Sequence, residues 1–193
     1  MKFGVGWAAF LIGVMILAPI AAFAGLQGEN LLVAPLPGWV KVYSGAGHGI
    51  TMVGYVPPGQ TANAWSQLAI VQVFDGKGGT SPAIVQQRVI DGLRLNCDSM
   101  HVTDLGAGTT SGLPAKRWLT YCARVKQLNL GEITSFQAIS GKDHFFLVQR
   151  SWRGAPFDLT KPLPIPDSLL KEWEAYLNQI SVCDSRDPKR PCP

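Results

Sequence analysis

The sequence predicts an α+β domain: a mostly antiparallel β-sheet with two main helices packed on it. Three observations predict it. Short runs rich in β-branched and aromatic residues, bounded by glycine and proline, read as strands. Two longer stretches repeat apolar residues at helical spacing. The strands come in groups joined by tight turns, and crossover connections are scarce, which separates α+β from α/β. The expected order is three strands, a helix, three or four strands, and a helix.

Leu26 to Pro37 reads as a lead-in, and Trp39 to Tyr43 as a first short strand. Gly45-Ala46-Gly47-His48-Gly49 reads as a turn, because glycine accepts the positive backbone angles of a tight reversal. Ile50 to Val56 is the second strand, stopped by Pro57-Pro58-Gly59, and Leu68 to Phe74 is the third. Ser81 is a fair N-cap for a helix over Pro82 to Asn96, with Pro82 at its first position. Leu113 to Val125, Glu132 to Ser140 and His144 to Trp152 follow as strands. Gly141-Lys142-Asp143 joins the last two into the clearest hairpin of the chain. A weaker strand is expected at His101 to Leu105. Pro162, Pro164 and Pro166 keep the next segment extended, as a linker on the domain surface. A second helix is expected over Asp167 to Ile180, with Leu169, Trp173, Tyr176, Leu177 and Ile180 on one face.

The N-terminus sets the compartment. Met1-Lys2 is followed by an apolar run from Phe3 to Phe23 that ends at Ala22-Phe23-Ala24. Small residues at −3 and −1 predict a secretory signal peptide over residues 1–24, cleaved after Ala24 rather than kept as an anchor. Residues 25–193 are then a single domain, large enough for its own core. Lys2 leaves with the leader, so 16 of the 17 basic residues face 13 acidic ones. That mild excess, without clustered basic residues on one face, argues against nucleic acid. The one dense basic stretch, Arg186-Asp187-Pro188-Lys189-Arg190, is expected to be a solvated tail. No stable membrane span is expected after cleavage.

All four cysteines, Cys97, Cys122, Cys183 and Cys192, lie beyond the leader. An even count behind a signal peptide predicts two disulfides and a periplasmic or secreted location. Val85, Val89 and Leu93 form a stripe on the first helix that Cys97 continues, so Cys97 faces the sheet, where Cys122 lies in a strand. Cys183 and Cys192 flank a short polar loop and clip the tail back. The expected pairs are Cys97–Cys122 and Cys183–Cys192.

Catalytic signatures are missing. No G-x-S-x-G elbow, phosphate-binding loop or H-E-x-x-H occurs. His48, His101 and His144 stand far apart at expected turns and strand ends, and the acids are scattered. No catalytic, cofactor or metal residues are assigned, and no cofactor is expected. Trp118 and Trp173 are expected in the core, whereas Trp39 and Trp152 fall at strand edges.

Two stretches carry a resemblance. One is Leu36-Pro37-Gly38-Trp39-Val40-Lys41-Val42. The other is Val56-Pro57-Pro58-Gly59-Gln60-Thr61, then Trp65, then Val71-Gln72-Val73-Phe74. They resemble small exported bacterial proteins of uncharacterised families, and the element order resembles the PsbP-like fold, named for an extrinsic photosystem II subunit. That fold group is mostly non-catalytic. It includes photosystem accessory subunits, a binding factor for a small nuclear GTPase and bacterial envelope proteins. With the leader, the disulfides and the missing catalytic motifs, the resemblance favours a protein partner in the envelope or outside the cell. The alternative is a small-molecule binder or a hydrolase with a site assembled from loops. A protein binder should expose an apolar patch, and an enzyme should bring titratable groups together in a deep pocket.

Overall fold

Leu130–Ser140 and His144–Gly154 (β7 and β8) are buried on both faces over most of their length, and each is paired on both sides, so they form the centre of a sheet. The computed structural model describes residues 26–193, and the expected leader, residues 1–24, lies outside the described residues. Seven strands build the main sheet. They are Val40–Gly47 (β2), Ile50–Val56 (β3), Gln67–Asp75 (β4), Met100–Thr110 (β5) and Leu113–Val125 (β6), with β7 and β8. The order across the sheet is β2-β3-β4-β8-β7-β6-β5, with antiparallel neighbours throughout. Glu29–Leu32 (β1) and Ser181–Asp184 (β9) form a separate antiparallel ribbon. The helices are Pro82–Asn96 (α1) and Asp167–Asn178 (α2).

Side chains alternate across a strand, so each helix takes one face. Val85, Val89 and Leu93 of α1 pack on Trp118, Phe136, Phe145 and Leu147. Tyr176 and Leu177 of α2 pack on Ile139, Phe146 and Val148, while Trp173 packs with Ile133 and Ile165. Among the described residues, no helix is long and apolar enough to cross a membrane.

The differences from the expected order lie at the ends of the chain. The lead-in contains β1, and β9 follows α2. Both are short, and each is completed only by the other, 149 or more residues away, so neither has a local sequence signal. The turn expected over residues 45–49 narrows to His48 and Gly49, with β2 running on to Gly47. His48 takes a left-handed φ of 53° there. The weak strand at His101 to Leu105 is an 11-residue strand that continues to Thr110. Its Gly106 and Gly108 hid it, because isolated glycines lower strand propensity.

Glu29 holds the two ends together. Its carboxylate is fully buried and accepts the backbone N–H groups of Lys142, Asp143 and His144 at 2.8, 3.0 and 3.1 Å. Arg190 Nη1 lies 3.9 Å from the same group. The glycine at 141 follows from this arrangement, because a Cβ would collide with the Glu29 carboxylate and the His144 carbonyl. Gly78 is fixed in the same way, since its Cβ would strike the Lys142 carbonyl. Its N–H instead donates to the Asp143 carbonyl at 3.1 Å, which docks the β4–α1 loop on the hairpin turn.

The basic tail is therefore not simply solvated. Arg186 pairs with Asp184 at 2.9 Å and with Asp143, Lys142 with Asp187 at 3.1 Å, and Arg190 with Asp187 at 3.1 Å. The Arg186 side chain and backbone N–H hold the Asp184 carboxyl down at about 2. The backbone N–H of Lys189, with Lys142 and Arg190, holds Asp187 down at about 2. Carboxylates with lowered folded pKa contribute stability above their unfolded value near 4 and lose it as pH falls through 2. Amide exchange in residues 181–193 should therefore speed up between pH 4 and pH 2, after correction for intrinsic rates, before the central sheet opens. Tail and sheet opening together across that window would contradict this reading.

Candidate functional site

Helix α1 is held at both ends and only partly covered along its length. Pro82 stands in its first turn, with Ser81 at the N-cap position and no side-chain capping bond from it. The preceding loop is docked on the β7–β8 turn. At the other end the Cys97 N–H donates to the Leu93 carbonyl, and the structure joins Cys97 to Cys122 of β6 by a disulfide. Cys183 is joined to Cys192, which closes the tail beside the β1–β9 ribbon. By loop-closure entropy, bridges of these spans contribute about 3 kcal/mol each, the longer one more.

Between those anchors the 15-residue helix runs for about 22 Å over the sheet. Its sheet-facing stripe is only half buried, and a trough of about 1130 Å³ opens along its flank. Phe74, Phe136, Phe145 and Leu147 form the floor, and Ile84, Val85 and Val89 the helical wall. Trp118 lies beneath, fully buried, with its ring stacked on Phe136 at 4.9 Å and 8° between planes. The same sheet face continues past the trough without a covering helix. Met52 and Ile50 stand opposite Gln72 and Phe74 on the next strand, and Tyr43 beyond them is 49 % exposed.

The polar groups of the trough are occupied with one another. Gln149 Nε2 donates to Gln72 Oε1 at 3.0 Å, and Gln72 Nε2 reaches Met52 Sδ at 3.4 Å. Glu132 pairs with Arg153 at 2.9 Å, and the Arg153 guanidinium stacks on Trp65 at 3.9 Å. Lys77 and Arg88 stand on the rim. Among the described residues, neither has a carboxylate within ion-pair distance.

The other face carries a buried cation. Arg150 is 1 % exposed, and its guanidinium lies between the rings of Trp39 and Tyr176 at 4.8 and 4.9 Å. Its Nη2 donates to Glu172 at 3.0 Å. Burial pushes the guanidinium below its ordinary range, and the Glu172 carboxylate opposes that. Burial likewise pushes the Tyr176 phenol up. This is packing electrostatics: Trp39, read from the sequence as a strand-edge residue, is tied into the core through Arg150.

The histidines stay apart in role. His48 forms the β2–β3 turn, and His101 packs against Tyr121 at 5.7 Å on the edge strand. His144 Nδ1 lies 3.2 Å from Asp75 beside Phe146. Among the described residues, no group of three or more His, Cys, Asp or Glu is arranged to hold a metal ion. Sequence reasoning placed Trp118 and Trp173 in the core, where both are buried. It missed the trough, because Phe74, Phe136 and Gln149 come from three strands and α1 from a fourth segment. It also missed Glu29 as a clasp. A lone acid in a lead-in carries no local signal; only the paired glycines at 78 and 141 hint at close backbone approach.

Fold and site together define a class: an α+β domain with a seven-stranded antiparallel sheet and an open apolar trough beneath one helix. Among solved structures, the chain is similar to the Saccharomyces cerevisiae Ran-binding protein Mog1p, at a TM-score of 0.51 and 12 % identity over 84 % of this chain and 98 % of that one. A lower-scoring match is LpqN, involved in cell envelope biogenesis of Mycobacterium tuberculosis, at a TM-score of 0.45 and 16 % identity over 84 % and 87 % of the two chains. The first likeness is one of fold, and it fits the PsbP-like resemblance seen in the element order. No family model and no curated protein matches the chain.

Proposed function

We propose that this chain is an exported, non-catalytic binding protein that serves the cell envelope or the space outside it by docking a protein partner in the α1 trough. The observation that carries the reading is the shape and chemistry of that trough. It is long, open along one side and floored by aromatic rings, and it continues into an uncovered sheet face. Small-molecule sites enclose most of their ligand, whereas an open apolar strip with a polar rim is the anatomy of a protein interface. The unpaired Lys77 and Arg88 favour a partner whose apolar ridge is flanked by acidic side chains. The leader read in the sequence and the two disulfides support an oxidising compartment. One protein of similar fold, the yeast Mog1p, is itself a Ran-binding protein, which gives a precedent for the class of role and not for the partner.

A substitution on the exposed part of the wall tests this. Ile84 is 52 % exposed and lines the trough, so Ile84→Asp leaves the core intact while placing a carboxylate on the apolar strip. Affinity capture of the tagged chain from its native host should recover a stoichiometric envelope or secreted protein, and the variant should recover about tenfold less. Equal recovery by both would place the interface elsewhere. A bait-only eluate would turn attention to small ligands.

A further inference from the structure

We propose that the free edge of β5 is a second docking site, which accepts an extended strand of a partner protein and seats one of its apolar side chains beside α2. A sheet edge presents a row of unpaired N–H and C=O groups, and the occupant that matches such a row is another extended backbone. Natural edges are usually blunted by charge, proline or a covering element. This one is blunted only at one point, where Asp104, paired with Lys116, accepts the Gly106 N–H at 2.8 Å; residues 105–109, Leu-Gly-Ala-Gly-Thr, carry no charge and no proline, and all five are exposed. β5 is the last strand of the sheet, with β6 as its neighbour there.

Leu105 stands on the α2 side, as Thr103 two residues before it does opposite Leu119. It lines a hollow of about 470 Å³ with Leu119, Leu170, Leu177, Ser135 and Trp173. A second hollow of about 280 Å³ adjoins it along Gly106 to Thr110 and shares Leu105 and Arg117. Arg117 is committed to structure, bonding Gln137, Asn178 and the Leu177 carbonyl at 3.0, 2.6 and 3.0 Å. Trp173 is different. Its indole is 1 % exposed, Nε1–H included in the burial, so it gives the hollow an apolar wall. The uncharged backbone edge and the apolar hollow beside it thus describe one occupant: a strand with an apolar side chain turned toward α2. This edge is separate from the α1 trough, so either site can fail without the other.

The test uses the full chain in its native host, with a photo-crosslinking residue placed in turn at Ala107 and at Thr109. Strand addition makes a specific mark. Crosslinks from the two positions should fall in one segment of one protein, at residues two apart, in a fixed direction. Leu105→Asp should cut both yields about tenfold while the circular dichroism spectrum is unchanged. Crosslinks to β5 of another copy of this chain would overturn the proposal in favour of self-pairing. Crosslinks scattered over unrelated proteins or lipid, or yields no higher than from an exposed turn position such as Gln127, would overturn it outright.

Discussion

Glu29→Ala should destabilise the domain by about 4 kcal/mol, the largest single effect expected outside the aromatic core. The substitution removes the acceptor for three backbone N–H groups of the β7–β8 turn and leaves them without partners in a buried site. Among the described residues, it also removes one of the two carboxylates within ion-pair distance of Arg190, the other being Asp187. Each orphaned donor costs of the order of 1–3 kcal/mol, and water entering the space returns part of that. For a domain of this size the loss corresponds to a fall in Tm of roughly 10 °C. Glu29→Gln keeps an oxygen of the same reach and should recover part of the loss. Urea denaturation of the three proteins checks the order wild type, then Gln, then Ala. An unchanged midpoint for the alanine variant would show that the chain ends do not depend on this clasp.

Trp118→Ala should cost about as much, roughly 4 kcal/mol, by a different route. Trp118 is fully buried under α1 and stacked on Phe136, so truncation leaves a cavity in the core of that face. Its indole N–H has no acceptor, so the ring is kept for volume and stacking and not for a hydrogen bond. Trp118→Phe should therefore cost much less, about 1–2 kcal/mol, since it keeps an aromatic ring and removes the unpartnered donor. The same pair separates stability from function. The phenylalanine variant leaves Phe136 and Phe145 on the trough floor and should retain partner capture. If it folds stably but loses capture, the floor of the trough is more exacting than an apolar strip requires.

The elements that were legible in the sequence owe it to local signals. α1 shows its proline-opened start and its Val85-Val89-Leu93 stripe, and its observed span is Pro82–Asn96. The β7–β8 hairpin shows two β-rich runs around Gly141-Lys142-Asp143. What escaped the sequence is made by distant pairing. β1 and β9 are four residues each and exist as a ribbon only because the chain ends meet. The second half of β5 is glycine-rich, and only its pairing with β6 makes it a strand. Asp184 and Asp187 are local partners of Arg186 and Arg190, but the contacts that tie the tail to the body, with Asp143, Lys142 and Glu29, lie 40 or more residues away, so the tail charges looked free. The candidate sites were illegible for the same reason: their floors collect residues from several strands, and no short motif records a surface.

The most direct test of the central claim is in-cell photo-crosslinking from the trough. A photo-reactive residue at Ile84 is compared with one at Gln127, an exposed position in the β6–β7 turn. One dominant crosslinked protein is expected from Ile84, an envelope or secreted protein contacted through an apolar segment flanked by acidic residues, and only background from Gln127. Equal, diffuse labelling from both positions would contradict the claim, because the trough would then hold no protein partner.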